Sequence, residues 1–118
     1  MRWHRLSILL DQLKTHLEDE SYLRITKDGE STSEQCGAIR TNCIDCLDRT
    51  NVVQSMIGRY VLEKQFRDAG IFGSDDKIVD FDEFESTFKN VWADNADMIA
   101  HQYTGTGALK TDYTRLLL

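Results

Sequence analysis

Residues 40–51 read RTNCIDCLDRTN. These twelve positions contain two cysteines, two aspartates, two arginines and two Thr-Asn pairs. Five residues separate Cys43 from Arg49, and Thr50 follows directly. A short loop that runs from the end of a strand to the start of a helix can point successive backbone N–H groups at one anion. The stretch therefore predicts a strand–phosphate loop–helix unit.

The sequence on both sides of this motif fits such a unit. Before Cys43, the residues AIRTN (38–42) predict a short extended segment. After it, apolar residues recur at helical spacing from Val52 to Leu62, and Gly70 is the expected end of the helix. The motif is thus predicted to lie between a strand and the first turn of a helix.

The N-terminal part of the chain predicts one more helix and a possible strand. Apolar residues at alternating spacings of three and four predict a helix with one apolar face, from Trp3 to about Leu17: Trp3, Leu6, Leu10, Leu13 and Leu17. YLRIT (22–26) is a possible strand, and the polar, Gly- and Ser-containing stretch after it is expected to form a surface loop that carries Cys36 as a free thiol.

A further helix is predicted near the C-terminus, where Asp80 or Asp82 is a candidate cap. An apolar stripe at helical spacing predicts the face that joins the core, continuing loosely to Met98 and Ile99: Phe81, Phe84, Phe88, Val91 and Trp92. Gly105 and Gly107 then permit either an ordinary turn or a loop that brings Lys110 to a site.

Size and charge restrict the function. The chain has 118 residues, enough for one domain with a modest core, and a formal charge of −6. That charge argues against nucleic acid as a partner and against broad adhesion to an anionic membrane. No window reaches the length of a membrane span. Three cysteines are too few for a disulfide scaffold, which favours reduced thiols in a cytosol-facing protein.

The residue types in the motif suit phosphoryl transfer. Arg49 offers a planar fork to two phosphate oxygens, and the helix N-terminus together with this guanidinium lowers the pKa of a nearby thiol such as Cys43. A Cys43 thiolate is then a nucleophile that forms a phosphocysteine intermediate. Asp45 and Asp48 are both candidates to protonate the leaving alcohol, and Thr50 to donate a hydrogen bond to the sulfur or the loop.

Other interpretations of the same residues stay open at this level. Cys43 and Cys46 form a Cys-x-x-Cys pair, which elsewhere is half a zinc site or a redox dithiol. Arg49 could instead form a structural ion pair with Asp45 or Asp48, and the stretch could be a capped turn. A module that binds phosphorylated head groups without cleaving them is a further alternative.

The stretch RTNCIDCLDRTNVVQ (40–54) resembles the catalytic signature of the Sac family of phosphoinositide phosphatases. That signature reads Arg-x-Asn-Cys-x-Asp-Cys/Ser-Leu-Asp-Arg-Thr-Asn. MRWHRLSILLDQL (1–13) and VWADNADMIAHQYTGTGALKTDYTR (91–115) also resemble this family, so the similarity covers nearly the whole chain.

The resemblance implies an α/β, helix-rich part of a Cys-based phosphatase catalytic domain over residues 1–118. It makes Cys43 the nucleophile and Arg49 the phosphate-binding arginine, with Asp45, Asp48 and Thr50 as the other catalytic residues. It implies no metal or other cofactor. The expected substrate contacts beside Arg49 are Ile44, Cys46, Leu47 and Lys110.

The expected partner is a phosphoinositide at a membrane surface, most closely phosphatidylinositol 4-phosphate. By resemblance to the family's membrane-bound member, the expected location is the cytosolic face of the endoplasmic reticulum and Golgi. Members of this family are several times longer, with an N-terminal subdomain and, in that member, C-terminal membrane segments. The chain is therefore expected to be a fragment, either active or an inactive remnant.

Overall fold

A computed structural model describes residues 3–42 and 48–107. The chain divides into two compact units, residues 1–40 and 41–118. Three helices dominate the described parts: α1 is Trp3–Glu20, α2 is Asp48–Asp68 and α3 is Asp82–Thr104. A two-stranded antiparallel sheet of β1, Arg24–Ile25, and β2, Ser31–Ser33, completes the regular structure together with a short 3-10 helix. The predicted helix-rich α/β composition is confirmed.

The first unit contains α1 and the sheet. The predicted apolar face of α1 is confirmed at Leu6, Leu10, Leu13 and Leu17, which are all half-buried. β1 lies inside the predicted YLRIT strand, and the turn after it places Gly29 at φ 84°. The polar stretch that follows is not all loop, because β2 pairs with β1 through Arg24 and Ser33. Ser-Thr-Ser has no apolar alternation, so the sequence contained no signal for this strand.

The strand expected before the motif is absent from the described residues. Positions 34–42 form neither helix nor strand, whereas β1 and β2 pair with each other. A strand exists only where a neighbour accepts its backbone hydrogen bonds, and the short run at 38–42 has no such neighbour in the described part of the chain. The prediction of a strand before the motif is therefore wrong, whereas the prediction of a helix after it is confirmed.

The second unit is built on α2 and α3. α2 ends at Asp68, just before the predicted stop at Gly70, whose φ of 78° is the left-handed conformation that glycine adopts without strain. Neither Asp80 nor Asp82 caps α3: Asp82 is its first residue, and Phe81 precedes it with no side-chain cap. Asp80 instead caps the 3-10 helix, Ile78–Asp80, where it accepts a hydrogen bond from the Lys77 backbone at 3.1 Å. Acidic residues fill the first turn of α3, where the helix dipole favours them.

The core of this unit lies between one end of α2, the connecting segment and α3. Phe72, Ile78 and Phe88 are buried, with Leu62, Phe66 and Trp92 packed against them. The Phe66 and Phe72 rings meet edge to face with centroids 4.9 Å apart. Glu63 on α2 accepts a hydrogen bond from the Ile78 backbone at 3.0 Å. These contacts fix the connection between the two helices.

The predicted core stripe of α3 is only partly right. Phe88 is buried and Trp92 half-buried, but Phe84, Val91, Met98 and Ile99 are exposed. In the second half of α3 the buried residues are alanines: Ala93, Ala96 and Ala100. Hydrophobicity shows which residues can be buried, but the rotation of the helix against its neighbour decides which ones are. Small side chains allow that neighbour to come close.

A glycine on α2 marks the close approach of the two helices. A Cβ placed on Gly58 would lie 2.9 Å from Cζ2 of Trp92. Beside this contact runs an apolar groove of about 410 Å³. Its lining contains no charged side chain, so it does not suit a phosphate group: Gly58, Val61, Leu62, Gln65, Phe66, Ile78, Phe84, Thr87, Phe88, Val91 and Trp92.

Candidate functional site

The first turn of α2 carries three of the predicted catalytic residues. Asp48 is the first residue of the helix and is half-buried, Arg49 is exposed, and Thr50 is only 8% exposed. The first four backbone N–H groups of a helix have no partner within it, and the helix dipole adds partial positive charge at the same end. Arg49 thus presents its guanidinium to solvent at the end of the helix that attracts anions.

Arg49 does not pair with the neighbouring carboxylate. The ion pairs within residues 3–42 and 48–107 join other side chains, and none involves Arg49 or Asp48. The alternative in which these two residues form a structural ion pair is therefore not what the described part of the chain adopts. A guanidinium that faces solvent can bind two oxygens of an oxyanion through its planar fork.

Six of the predicted site residues lie outside the described residues: Cys43, Ile44, Asp45, Cys46, Leu47 and Lys110. Their roles stay predictions. The third cysteine, Cys36, is an exposed free thiol in the first unit, as predicted.

The residues that border segment 43–47 are tied to each other. Gln54 on α2 donates a hydrogen bond from Nε2 to Oγ1 of Thr41 at 2.9 Å. Thr41 lies two positions before Cys43, and Gln54 is on the second turn of the helix that follows the motif. A single bond between them fixes where the chain enters the segment relative to where it leaves. The sequence gives no sign of this role for Gln54, because a polar residue on a helix does not show which partner it binds.

The first turn of α2 is also tied to α3. Asn51, only 3% exposed, donates from Nδ2 to the Trp92 carbonyl at 3.0 Å. Its Oδ1 accepts a hydrogen bond from Nδ2 of Asn95 at 2.8 Å. The side chain of Asn51 therefore uses both its donor and its acceptor functions between the two helices. Asn95 was also not singled out, and its position in the sequence gives no sign of this contact.

A charged cluster joins the helices further from the motif. Arg59 binds both carboxylate oxygens of Glu85, with N–O distances of 2.5 and 2.9 Å, and stacks over the Phe88 ring at 4.5 Å. Lys89 lies 3.6 Å from the same carboxylate. Burial by itself raises the pKa of Glu85, but the hydrogen bonds and charge of Arg59, with help from Lys89, outweigh it and hold that pKa below its ordinary value of 4.5.

This cluster predicts acid-sensitive stability. A carboxylate whose pKa is lowered by folding contributes stability above its unfolded-state value, and that stability is lost as the pH falls through the folded-state pKa. At pH 7 we expect Glu85→Gln to lower the free energy of unfolding by about 1 kcal/mol. The difference from the wild type should shrink steadily below about pH 4.5. Urea unfolding at pH 7, 5, 4 and 3 measures both effects.

The exposed residue Glu83 on the same helix turn provides the control. Glu83→Gln should leave the free energy of unfolding within about 0.5 kcal/mol of the wild type at pH 7. If the wild type and Glu85→Gln differ by the same amount at pH 7 and pH 3, the charged form of Glu85 is not what stabilises the helix pair.

Comparison with curated proteins shows which proteins this chain is similar to. The chain is 50% identical over 115 residues to phosphatidylinositol-3-phosphatase SAC1-A of Danio rerio, covering 98% of the chain and 20% of that protein. It is 47% identical to phosphoinositide phosphatase SAC6 of Arabidopsis thaliana and 44% identical to phosphatidylinositol-3-phosphatase SAC1 of Saccharomyces cerevisiae, in both cases over 98% of the chain and 19% of the relative. No family model matches the chain. The chain spans about one fifth of the length of these relatives.

Proposed function

We propose that this chain, whose curated homologues are Sac1-type phosphoinositide phosphatases, acts on phosphatidylinositol phosphates. In this proposal it removes a phosphate group through a phosphocysteine intermediate. The observation that carries the proposal is identity of 44–50% to such phosphatases over 98% of the chain. The geometry supports it: Arg49 is exposed and stands on the first turn of a helix whose second turn is bonded to Thr41, two positions before Cys43.

The first step is attack of the Cys43 thiolate on phosphorus. A bond forms between sulfur and phosphorus while the bond from phosphorus to the inositol oxygen breaks, and that oxygen takes a proton from Asp45 or Asp48. The Arg49 guanidinium and the backbone N–H groups around Ile44, Cys46 and Leu47 hold the phosphoryl oxygens as negative charge develops on them. Lys110 is proposed as a further contact with the substrate.

The second step returns the enzyme to its starting state. Water attacks phosphorus, the sulfur–phosphorus bond breaks, inorganic phosphate leaves, and the aspartate that gave up its proton recovers one from the water. Thr50 supports this step through its hydroxyl. Every group in the scheme belongs to the protein or to water, so the proposal includes no metal or other cofactor.

The preferred substrate depends on which ring position of inositol carries the phosphate that is removed. The resemblance favours phosphatidylinositol 4-phosphate, whereas the names of the zebrafish and yeast relatives describe phosphatidylinositol-3-phosphatases. We propose the 4-phosphate as the preferred substrate and the 3-phosphate as its competitor. The proposed location is the cytosolic face of endoplasmic reticulum and Golgi membranes. Within residues 3–42 and 48–107, no helix combines the length and apolar character that a membrane crossing needs.

The test is release of inorganic phosphate from short-chain phosphatidylinositol 3-phosphate and 4-phosphate, with chelator present and no added metal. We expect the wild type to release phosphate and Cys43→Ser to release none, because a hydroxyl at this site is not ionised at neutral pH. Equal release by both proteins would rule out the thiolate mechanism. Faster turnover of the 3-phosphate would reverse the proposed preference while leaving the mechanism in place.

A binding-only function predicts a different pattern. Phosphoinositide head groups would then bind to the wild type and to Cys43→Ser alike, and neither would release phosphate. An inactive remnant would neither bind nor cleave. Measuring head-group binding on the same two proteins therefore separates the three functions.

A further inference from the structure

The amide of Asn51 is the point at which α2 and α3 are held together beside the motif. It lies on the helical turn that carries Arg49, two positions further along the chain. Its side chain is 3% exposed and bonds to the Trp92 carbonyl and to the Asn95 amide. A buried amide with both functions satisfied has one low-energy orientation, because any rotation leaves a polar group without a partner.

The apolar contacts around this turn do not by themselves fix its position. The buried residues near it are small or polar: Thr50, Val52 and Ser55 on α2, with Ala93 and Ala96 on α3. Small side chains can slide past each other with little loss of contact, whereas hydrogen bonds of 2.8 and 3.0 Å are directional. The edge-to-face contact of Phe66 with Phe72 lies at the other end of α2.

We propose that Asn95 is a positioning residue for the phosphatase reaction, acting through its hydrogen bond to Asn51 to hold the first turn of α2, and with it Arg49, in place. The inference rests on the proposed function and deepens it, since it assigns a role to a residue 44 positions away from the motif. Asn95 touches neither substrate nor reacting atoms. Its effect is on the placement of the arginine that stabilises charge in the transition state.

Three variants test this chain of contacts. Asn95→Ala removes the donor to Asn51, Asn51→Ala removes the shared partner, and the double variant removes both. We expect Asn95→Ala to lower kcat about tenfold, with KM within about twofold of the wild type, because a displaced arginine is felt most in the transition state. The double variant should be no slower than Asn51→Ala alone, since both changes break the same contact.

A fourth variant separates the hydrogen bond from packing. Asn95→Asp keeps the size of the side chain but presents oxygen to the Oδ1 of Asn51. If the hydrogen bond positions the turn, Asn95→Asp lowers kcat at least as much as Asn95→Ala. A wild-type kcat for this variant would overturn the proposal, and so would fully multiplicative effects in the double variant.

A control for general loss of stability comes from the opposite end of the unit. Ile78→Val removes one methylene from the aromatic core, a cluster that includes neither asparagine. At a temperature where Ile78→Val and Asn95→Ala are both more than 95% folded, we expect the first to keep the wild-type kcat. Equal losses of kcat in the two variants would show that Asn95 acts only through stability.

Amide hydrogen exchange decides the proposal even if the wild type releases no phosphate, a result that would count against the proposed function alone. The amides of residues 52–55 bond to the carbonyls of the first turn, 48–51. We expect Asn95→Ala to speed their exchange about tenfold while leaving exchange at residues 64–67 unchanged. We expect Ile78→Val to speed exchange at residues 64–67 while leaving exchange at 52–55 unchanged. Unchanged exchange at 52–55 in Asn95→Ala would overturn the positioning role.

Discussion

Arg49→Ala is expected to reduce kcat for phosphate release by about 100- to 1,000-fold, the usual cost of removing one preorganised donor from a transition state. Arg49 is exposed, and among residues 3–42 and 48–107 its loss breaks no ion pair. The thermal midpoint should therefore stay close to that of the wild type. Steady-state hydrolysis of the short-chain substrate and a thermal melt measure the two quantities.

Two further variants show what the arginine supplies. Arg49→Lys keeps the positive charge but loses the planar fork, so we expect it to recover only part of the lost rate. Arg5→Ala removes one exposed positive charge from α1 and should leave kcat unchanged. Comparable losses in Arg49→Ala and Arg5→Ala would mean that overall charge, rather than a specific oxyanion contact, governs the reaction.

Ile78→Ala is expected to lower the free energy of unfolding by about 2–5 kcal/mol, the range for removing a buried aliphatic side chain. Ile78 is 1% exposed and packs with Phe72 and Phe88 in the core of the second unit. Small domains have only about 5–15 kcal/mol of stability in total, so this one change removes a large share. Urea unfolding followed by far-ultraviolet circular dichroism measures it.

The neighbouring residue makes a matched control. Val79 is also β-branched and lies in the same short helix, but it is 58% exposed. Val79→Ala should change the free energy of unfolding by no more than about 0.5 kcal/mol. If the two variants are equally destabilised, the core does not centre on Ile78.

Local patterns predicted the helices well. The apolar spacing of Leu6, Leu10, Leu13 and Leu17 identified the inner face of α1, and Gly70 marked the end of α2, because both signals act within one or two helical turns. The expectations that failed depended on partners distant in sequence. The extended run expected at 38–42 has no described neighbour to pair with, whereas Ser31–Ser33 forms a strand because β1 pairs with it.

The motif residues could be predicted from the sequence, but the hydrogen bonds that hold them in place could not. The resemblance of residues 40–51 to a phosphatase signature identified Arg49 and Thr50, and the structure places both on the first turn of α2. Gln54, Asn51 and Asn95 hold that turn and the chain before it, yet nothing in their local sequence shows which partners their amides have.

The chemistry proposed for this protein was predicted from the sequence by itself. The spacing of cysteine, aspartate and arginine within twelve positions is local, and its chemical meaning does not depend on distant residues. The tertiary structure alone decided which face of α3 is buried and which amides hold the motif, because both depend on how two helices rotate and shift against each other. Asn95 meets Asn51 across 44 positions, and only the packed helices bring them within 2.8 Å.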